Sequence, residues 1–296
     1  MLNKKTSAIA VTSGLASLAL ALPLPALATN GYFQHGYGVK SQGMAGVGIA
    51  LPQDGLAAAT NPAGQAFVGD RADVGLTWFV PKRGAEVVGN PAIGGSYEAN
   101  ETRNFFIPEF GYVKQIATNL AAGVSVYGNG GMNTDYTRNP FAGFGSTGSS
   151  YMNLEQLFVS PALAWKLTPQ HSLGVALNLA YQRFSIKGLS AFATSSADAA
   201  NLTDRGADNS SGAGLRLGWT GQVTPALTLG ATWASKTRMG KLDKYRGLFA
   251  EQGGFDVPAN YGIGAAWKAA DALTLALDVQ RIEYNGVKSV GNPIAN

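Results

Sequence analysis

Hydrophobic and polar residues alternate along most of the chain from residue 72 onward. In the first such stretch, Val74, Leu76 and Trp78 share one face, while Asp73 and Thr77 share the other. A period of two residues indicates a strand with a different environment on each face, whereas a helix has a period of 3.6. Nine stretches show the pattern: 72–80, 105–113, 120–127, 157–167, 173–182, 214–220, 227–233, 260–267 and 273–280. The pattern predicts an all-β protein of about nine strands.

The connections between these stretches alternate in length. The long ones are 81–103, 128–152, 185–212 and 236–257, and the short ones are 117–119, 168–171, 224–226 and 269–271. Outer-membrane barrels have long extracellular loops and short periplasmic turns, and their tilted strands need about ten residues to cross. A soluble β-sandwich also alternates, but it has no reason to sort its loops by length. We therefore predict a transmembrane antiparallel β-barrel.

Aromatic residues lie at the ends of the apolar faces, where a membrane barrel carries its interfacial girdles. They are Trp78, Trp165, Tyr181, Trp219, Trp233 and Trp267. Charged residues are only 14 % of the chain. After residue 28, no segment has the ~18 consecutive apolar residues of a membrane helix. Both observations favour strands as the elements that cross the membrane.

Residues 1–28 have the features of a secretory signal. Lys4 and Lys5 precede an apolar core, and Ala26 and Ala28 form a small-x-small cleavage site, which predicts cleavage before Thr29. Without these two lysines the net charge falls from +4 to +2, because the segment contains no acid. That balance is too weak to indicate a nucleic-acid partner. The chain has no Cys, which excludes thiolate chemistry.

Nine strands is an unusual number, because bacterial single-chain barrels usually have an even count with both termini in the periplasm. An open sheet in lipid would leave an edge of unpaired backbone groups, each costing several kcal/mol. We therefore expect that strands are missing on the C-terminal side. Closure of the edge by oligomerisation is the alternative. We expect a monomer surrounded by outer-membrane lipid and lipopolysaccharide.

Residues 29–69 do not alternate. They are rich in Gly and Ala and poor in charge, which lets backbone pack closely against a wall, so we predict a plug inside a barrel formed by residues 70–296. Asp54 is placed to cap a short helix. The sequences S-x-G-M-A-G-V-G-I-A at 41–50 and D-G-L-A-A-A-T-N-P-A-G at 54–64 resemble the N-terminal hatch of the FadL/TodX family.

The resemblance implies an outer-membrane channel for long-chain fatty acids or hydrophobic aromatic compounds, with fourteen strands and no cofactor. Its hatch carries an NPA motif, which corresponds here to Asn61, Pro62, Ala63 and the following Gly64. The family also has a kink in its third strand that opens a lateral exit. Similar residues here are Gly128, Asn129, Gly130 and Gly131. The alternative for these four is an ordinary Gly-rich start of a loop after a strand that ends at Tyr127.

Candidate ligand contacts fall into two groups. By alternation, Phe79, Ile107, Tyr127 and Phe158 face the lumen beside the polar Glu109, Arg216 and Asp278. An apolar lining with a few polar anchors suits a hydrophobic ligand. Arg216 either binds a ligand carboxylate or pairs with a lumen acid to hold the plug. The resemblance adds Leu189, Phe192, Leu248 and Phe249 of the outer loops, where loop-on-loop packing is the alternative.

Signals of catalysis are missing from the sequence. His35 and His171 lie in the plug and in a short turn, so no shared site is evident, and no metal-ligand spacing or activated nucleophile is present. We therefore predict a channel without enzymatic activity. Two alternatives remain, namely a general porin for polar solutes and a surface adhesin or structural barrel.

Overall fold

A computed structural model describes residues 30–293 of the chain. The chain divides into two units, Met1–Gly31 and Tyr32–Asn296. The predicted signal segment lies outside the described residues, so its cleavage stays a prediction. The following description concerns the second unit.

Twelve strands are described, and nine of them form the wall of one antiparallel sheet. They are β1 (Arg71–Phe79), β2 (Gly84–Val87), β3 (Gly95–Glu98), β4 (Phe105–Ala117), β5 (Leu120–Tyr136), β6 (Ser150–Lys166), β7 (His171–Lys187), β8 (Asp208–Thr224), β9 (Leu227–Ala234), β10 (Arg238–Met239), β11 (Asn260–Ala270) and β12 (Leu273–Ile282). The wall runs β1-β4-β5-β6-β7-β8-β9-β11-β12, with the short β10 beside β8. β2 and β3 form a hairpin within the first long loop. The predicted nine-stranded, all-β architecture is confirmed.

Several predicted boundaries were wrong because the strands continue further toward the outer loops, as β7 also does by ending at Lys187. The third strand does not end at Tyr127, since β5 continues to Tyr136. Its partner β6 begins at Ser150, and β8 begins at Asp208 rather than at Gly214. These extensions are rich in Gly, Asn and Ser, which hides the alternation. The ladder itself needs only backbone N–H and C=O groups.

The outer surface of the sheet is apolar and uncovered by protein. Leu76, Ile263 and Leu277 point outward and are 63 %, 65 % and 66 % exposed. Trp78 stacks on Phe106 at the same surface, with ring centroids 6.3 Å apart. An exposed apolar face of this extent, bounded by aromatic residues, is the lipid-contacting face of a membrane strand array.

Residues 32–69 lie inside the curve of this sheet, and we call them the hatch. They contain two short helices, Val39–Gly43 and Ala57–Thr60, and the 3-10 helix Pro62–Ala66. Hatch residues bond to both the first and the last wall strand, which requires the sheet to curl around them. The lumen position predicted for this segment is therefore confirmed.

The remaining short helices lie beyond the hatch. They are Ala142–Phe144, Ser190–Ser195, Ala199–Asn201, Asp243–Tyr245, Ala250–Gly253, Tyr284–Gly286 and Lys288–Gly291. Over the described part of the chain, no helix has the length and apolar character needed to span a membrane.

Candidate functional site

Asn61 ties the hatch to the wall. Its side-chain Nδ2 donates to the carbonyl of Ile49 at 2.7 Å, the carbonyl of Trp219 at 2.9 Å and Oγ1 of Thr220 at 3.0 Å. Its Oδ1 accepts from the amide of Ala63 at 3.1 Å, which begins the 3-10 helix. Because Asn61 is only 1 % exposed, losing these partners would strand buried polar groups.

Wall glycines provide the space in which the hatch sits. A Cβ on Gly218 would lie 1.9 Å from Asn61 Oδ1, and one on Gly174 would lie 2.2 Å from the Ala63 nitrogen. A Cβ on Gly230 would lie 2.3 Å from a hatch carbonyl oxygen. Close approach of another backbone is a recurrent reason for Gly within a strand. These glycines explain why the inward face of the predicted strands is so poor in large side chains.

Carboxylates on the wall accept hydrogen bonds from hatch backbone amides. Oδ2 of Asp73 accepts from Gly55 at 2.8 Å, and Oε1 of Glu109 accepts from Gly38 at 3.1 Å. Across the lumen, Oδ2 of Asp278 accepts from the amides of Gly48 and Ile49 at 2.8 and 2.9 Å. Hydrogen bonds to a charged acceptor are stronger than neutral ones, so these contacts fix the hatch on both sides.

Arg216 also holds the hatch, but through a backbone oxygen. Its guanidinium and the Thr232 hydroxyl both donate to the carbonyl of Thr60, at 3.1 and 2.9 Å. Arg216 is 4 % exposed, and no carboxylate of the described residues lies within 4.0 Å of it. The expected pairing with a lumen acid is therefore not what anchors the plug.

Asp54 is the buried acid of the hatch itself. It is 8 % exposed, and its Oδ1 accepts from the Leu56 amide at 3.0 Å, just before the helix Ala57–Thr60. The contact closes a turn before the helix, whose N-cap is Leu56 and has no side-chain cap, so the predicted capping role of Asp54 is wrong. Burial raises the pKa of Asp54, even though the Leu56 hydrogen bond acts in the opposite direction.

The four kink residues form a β-bulge. The register of β5 against β6 shifts between Gly128 and Gly130, which leaves Asn129 as the extra residue. The Asn129 side chain accepts from the Tyr37 hydroxyl at 3.1 Å and donates to Gln156 at 3.1 Å. Gly130 has a φ of 157°, and a Cβ there would lie 1.7 Å from the Tyr32 carbonyl oxygen. The alternative of a loop that starts at these residues is wrong, because β5 continues through the bulge to Tyr136.

The edge of β5 that faces β4 is shared among three partners. Pairing with β4 stops at Phe110 and Val126, and the described residues of the two strands make no pair beyond it. Hatch residues pair with the bulge next: Gln34 N donates to the Asn129 carbonyl at 3.0 Å, and Gly131 N donates to the Tyr32 carbonyl at 2.9 Å. Loop residues 98–102 then bond to β5 around Asp135. We call the region between residues 105–109 and 127–133 the lateral gap.

An aromatic cluster leads from an outer loop to this gap. Its members are Tyr32, Phe33, Phe184, Tyr245, Phe249, Phe255 and Tyr284. Phe249 of the loop between β10 and β11 lies 4.8 Å from Phe184 and 4.9 Å from Phe255, measured between ring centroids. Phe255 lies 5.8 Å from Tyr32, whose neighbour Phe33 forms a β-bridge with Gly130. The cluster contains no charged side chain.

The other predicted lumen residues lie at different distances from this cluster. Tyr127 and Phe158 are buried below the bulge, with their ring centroids 5.6 Å apart. Ile107 borders the gap, because a Cβ on Gly128 would lie 2.7 Å from its Cγ2. Phe79 is 51 % exposed and contacts Phe105 instead.

The outer-loop candidates separate into two pairs. Leu248 and Phe249 pack on the aromatic cluster. Phe192 instead packs on Phe141, with ring centroids 5.2 Å apart. Leu189 precedes Phe192 by three positions and is half-buried. Sequence reasoning missed Tyr32, Phe33, Phe184 and Tyr284. Two of them are adjacent aromatic residues in an otherwise small-residue plug, which is a signal that could have been used.

The sequence model of a protein family described as "Outer membrane protein transport protein (OMPP1/FadL/TodX)" matches residues 26–290 of this chain. Among solved structures, the toluene transporter TbuX of Ralstonia pickettii is similar, with a TM-score of 0.67 and 22 % sequence identity. The alignment covers 85 % of this chain and 73 % of the TbuX chain. The toluene transporter TodX of Pseudomonas putida gives 0.66 and 19 %, covering 87 % and 72 %. A FadL homologue of Pseudomonas aeruginosa gives 0.60 and 18 %, covering 88 % and 72 %. No curated protein matched by sequence.

Proposed function

The chain belongs to the OMPP1/FadL/TodX family of outer membrane transport proteins and lies in the outer membrane of a Gram-negative bacterium, and on this premise we propose that it is a passive channel for hydrophobic compounds. The proposed cargo is a long-chain fatty acid or an aromatic or aliphatic hydrocarbon. Lipid and lipopolysaccharide contact the apolar outer face, and the protein acts as a monomer without a cofactor.

The division of the β5 edge is the observation that carries the proposal. Of its three partners, β4 and the loop 98–102 belong to the wall or rest on it, while Tyr32 and Gln34 belong to the hatch. Departure of this hatch segment would remove two backbone hydrogen bonds and uncover an opening in the side of the wall. Cargo would then leave laterally into the membrane.

The rest of the hatch supports this exit over one through the periplasmic mouth. Asn61, Pro62, Ala63 and Gly64 are all buried against the wall. Asn61 alone makes three hydrogen bonds through its Nδ2, and Asp278 and Arg216 add more. Because the segment Tyr32–Gln34 is the part of the hatch that bonds to the bulge, we propose that it moves while residues 48–66 stay seated.

Capture is proposed at the outer loop that carries Leu248 and Phe249. Both pack on the aromatic cluster, which continues to the bulge through Phe255 and Tyr32. An apolar ligand can exchange ring contacts along such a path without losing a charged partner. Tyr127, Phe158 and Ile107 then line its lower boundary.

A porin for polar solutes needs a wet and charged constriction. Here the charged wall residues Asp73, Asp278 and Arg216 are engaged with hatch backbone. An adhesin would use its loops alone and would not need a bulge closed by a plug. Both alternatives therefore receive less support than the hydrophobic channel.

Uptake by intact cells tests the proposal. Cells that produce the protein should take up radiolabelled toluene or oleate faster than cells with an empty vector. A variant lacking Asn129 should have a regular β5 ladder and slower uptake, while deletion of Gly145, in an outer turn with open space around it, is the control. Equal uptake by producing and non-producing cells would reject the function.

A further inference from the structure

We infer that Arg83 is a positioning residue that fixes the upper rim of the lateral gap and thereby limits the size of cargo that can pass. The inference rests on the proposed lateral exit. Arg83 lies in the first outer loop, and its side chain contacts both Asn133 of β5 and Phe105 of β4. Nothing in the family match assigns it a role.

The Arg83 guanidinium spans the gap. On the β5 side, Nη1 donates to the Asn133 carbonyl at 2.6 Å and also to the Asn133 side-chain oxygen. On the β4 side, the guanidinium carbon lies 5.7 Å from the centre of the Phe105 ring, and Nη2 donates to the carbonyl of Thr102 in the loop that leads into β4. A planar fork with several N–H groups can hold two separated oxygen acceptors at once, which an ammonium group does less well.

The backbone of Arg83 is held as firmly as its side chain. Its N–H donates to Oδ1 of Asn100 at 2.7 Å, and its carbonyl accepts from Ala99 at 3.1 Å. Asn100 in turn forms a parallel bridge with Asp135. These hydrogen bonds fix the backbone of Arg83, so its side chain reaches across the gap from a fixed position.

The contact between Arg83 and Asn133 determines where on β5 the upper rim of the gap lies. The other rim contacts join Asp135 to Ala99, Glu101 and Thr102, two residues further from the bulge. Arg83 holds β5 at Asn133, the rim residue nearer to Gly131 and the hatch segment. Without it, the upper boundary of the opening would shift from Asn133 toward Asp135, which is about 6–7 Å along a strand.

The test compares uptake of a two-ring and a one-ring hydrocarbon, labelled naphthalene and labelled toluene, in cells that produce the protein. Arg83→Ala should raise the naphthalene-to-toluene ratio several-fold, because the longer opening admits the two-ring hydrocarbon with less steric hindrance. Arg83→Lys should give an intermediate ratio. The matched control is Arg138→Ala. Arg138 contacts Ser96 and Tyr97 of the β2–β3 hairpin, which follows Arg83, without crossing the gap.

A disulfide tests which residue of β5 sets the rim. Oγ1 of Thr102 lies 2.7 Å from Oδ2 of Asp135, and the native chain has no Cys. In the Arg83→Ala background, Thr102→Cys with Asp135→Cys holds the rim at Asp135 and not at Asn133, so the ratio should stay raised in both the oxidised and the reduced state.

Two results would overturn the inference: an unchanged ratio in Arg83→Ala, or an equal rise in Arg138→Ala, which would indicate general loosening of the loop. The proposed function fails separately, if the unaltered protein carries neither hydrocarbon above background. A transporting protein whose ratio does not respond to Arg83 would leave that function intact and reject the rim.

Discussion

Gly218 of β8 and Asn61 of the hatch are in direct contact, and each explains the other. The absence of a Cβ at Gly218 admits the Asn61 carboxamide, which then satisfies backbone and side-chain groups on both the hatch and the wall. The NPA resemblance pointed to Asn61 from the sequence. Nothing in the sequence paired it with Gly218, because that contact spans 157 positions between 61 and 218 and depends on how the sheet curls.

Gly218→Ala should therefore unseat the hatch. The added methyl group would overlap Asn61 Oδ1, and overpacking of this kind typically costs about 1–3 kcal/mol. The expected result is a higher ion conductance of the purified protein in planar bilayers. Gly43→Ala is the matched control, since it lies in a hatch helix with no atom within 4 Å of the new Cβ. Equal conductance in the two variants would mean that Gly218 does not seat the hatch.

Asp54 gives the hatch a pH dependence whose sign follows from burial. Its pKa is raised above the ordinary value of 3.8, so the folded state binds the proton more tightly than the unfolded state does. The cost of the buried charge is fully present above the raised pKa and disappears as pH falls through it. Asp54→Asn should keep an oxygen acceptor for Leu56 and remove that cost.

Conductance recorded across acidic to neutral pH measures this effect. The Asn variant should leak less than the unaltered protein at neutral pH, and the difference should vanish in acid. Comparing the two proteins separates Asp54 from the wall carboxylates Asp73, Glu109 and Asp278, which titrate in both. A difference that stays constant with pH would contradict the role given to Asp54.

Among the elements, the strand pattern was readable from sequence wherever a lipid-facing apolar residue alternated with a small or polar one. It failed in β5 beyond Tyr127, where Gly, Asn and Thr replace apolar residues and the ladder continues across a bulge. A bulge is defined by its hydrogen-bond register, and register is a property of two strands. The sequence of β5 alone therefore indicated the kink but not the continuation.

For the outer loops, too, the sequence did not indicate which residues contact one another. Leu189, Phe192, Leu248 and Phe249 are equally apolar in sequence, yet only the last two pack on the aromatic cluster. Phe249→Ala should reduce toluene uptake on the order of tenfold, because the ring loses contacts with Phe184 and Phe255. Phe192→Ala removes a ring of the same size from a contact with Phe141 and should leave uptake unchanged. A greater loss in the Phe192 variant would move the capture surface to the other loop.

For the whole molecule, the sequence predicted a sheet of nine wall strands around an N-terminal plug, and this arrangement is what the structure has. Loop sorting carried that prediction, because it reports which end of each strand faces the outside. The division of the β5 edge could not be predicted. It brings together residues near 33, 83, 100 and 130, which approach one another only when the sheet has curled around the hatch.

A reversible staple across the lateral gap tests the central claim most directly. Ile107→Cys with Gly128→Cys places two thiols where a Cβ on Gly128 would lie 2.7 Å from Ile107 Cγ2, within reach of a disulfide. The control pair is Val159→Cys with Leu179→Cys, two register partners on β6 and β7 away from the gap. Toluene uptake is measured before and after reduction. We predict that the oxidised staple abolishes uptake, that reduction restores it, and that the control pair transports in both states. Undiminished uptake through the oxidised gap staple would contradict lateral exit and direct the cargo through the periplasmic mouth instead.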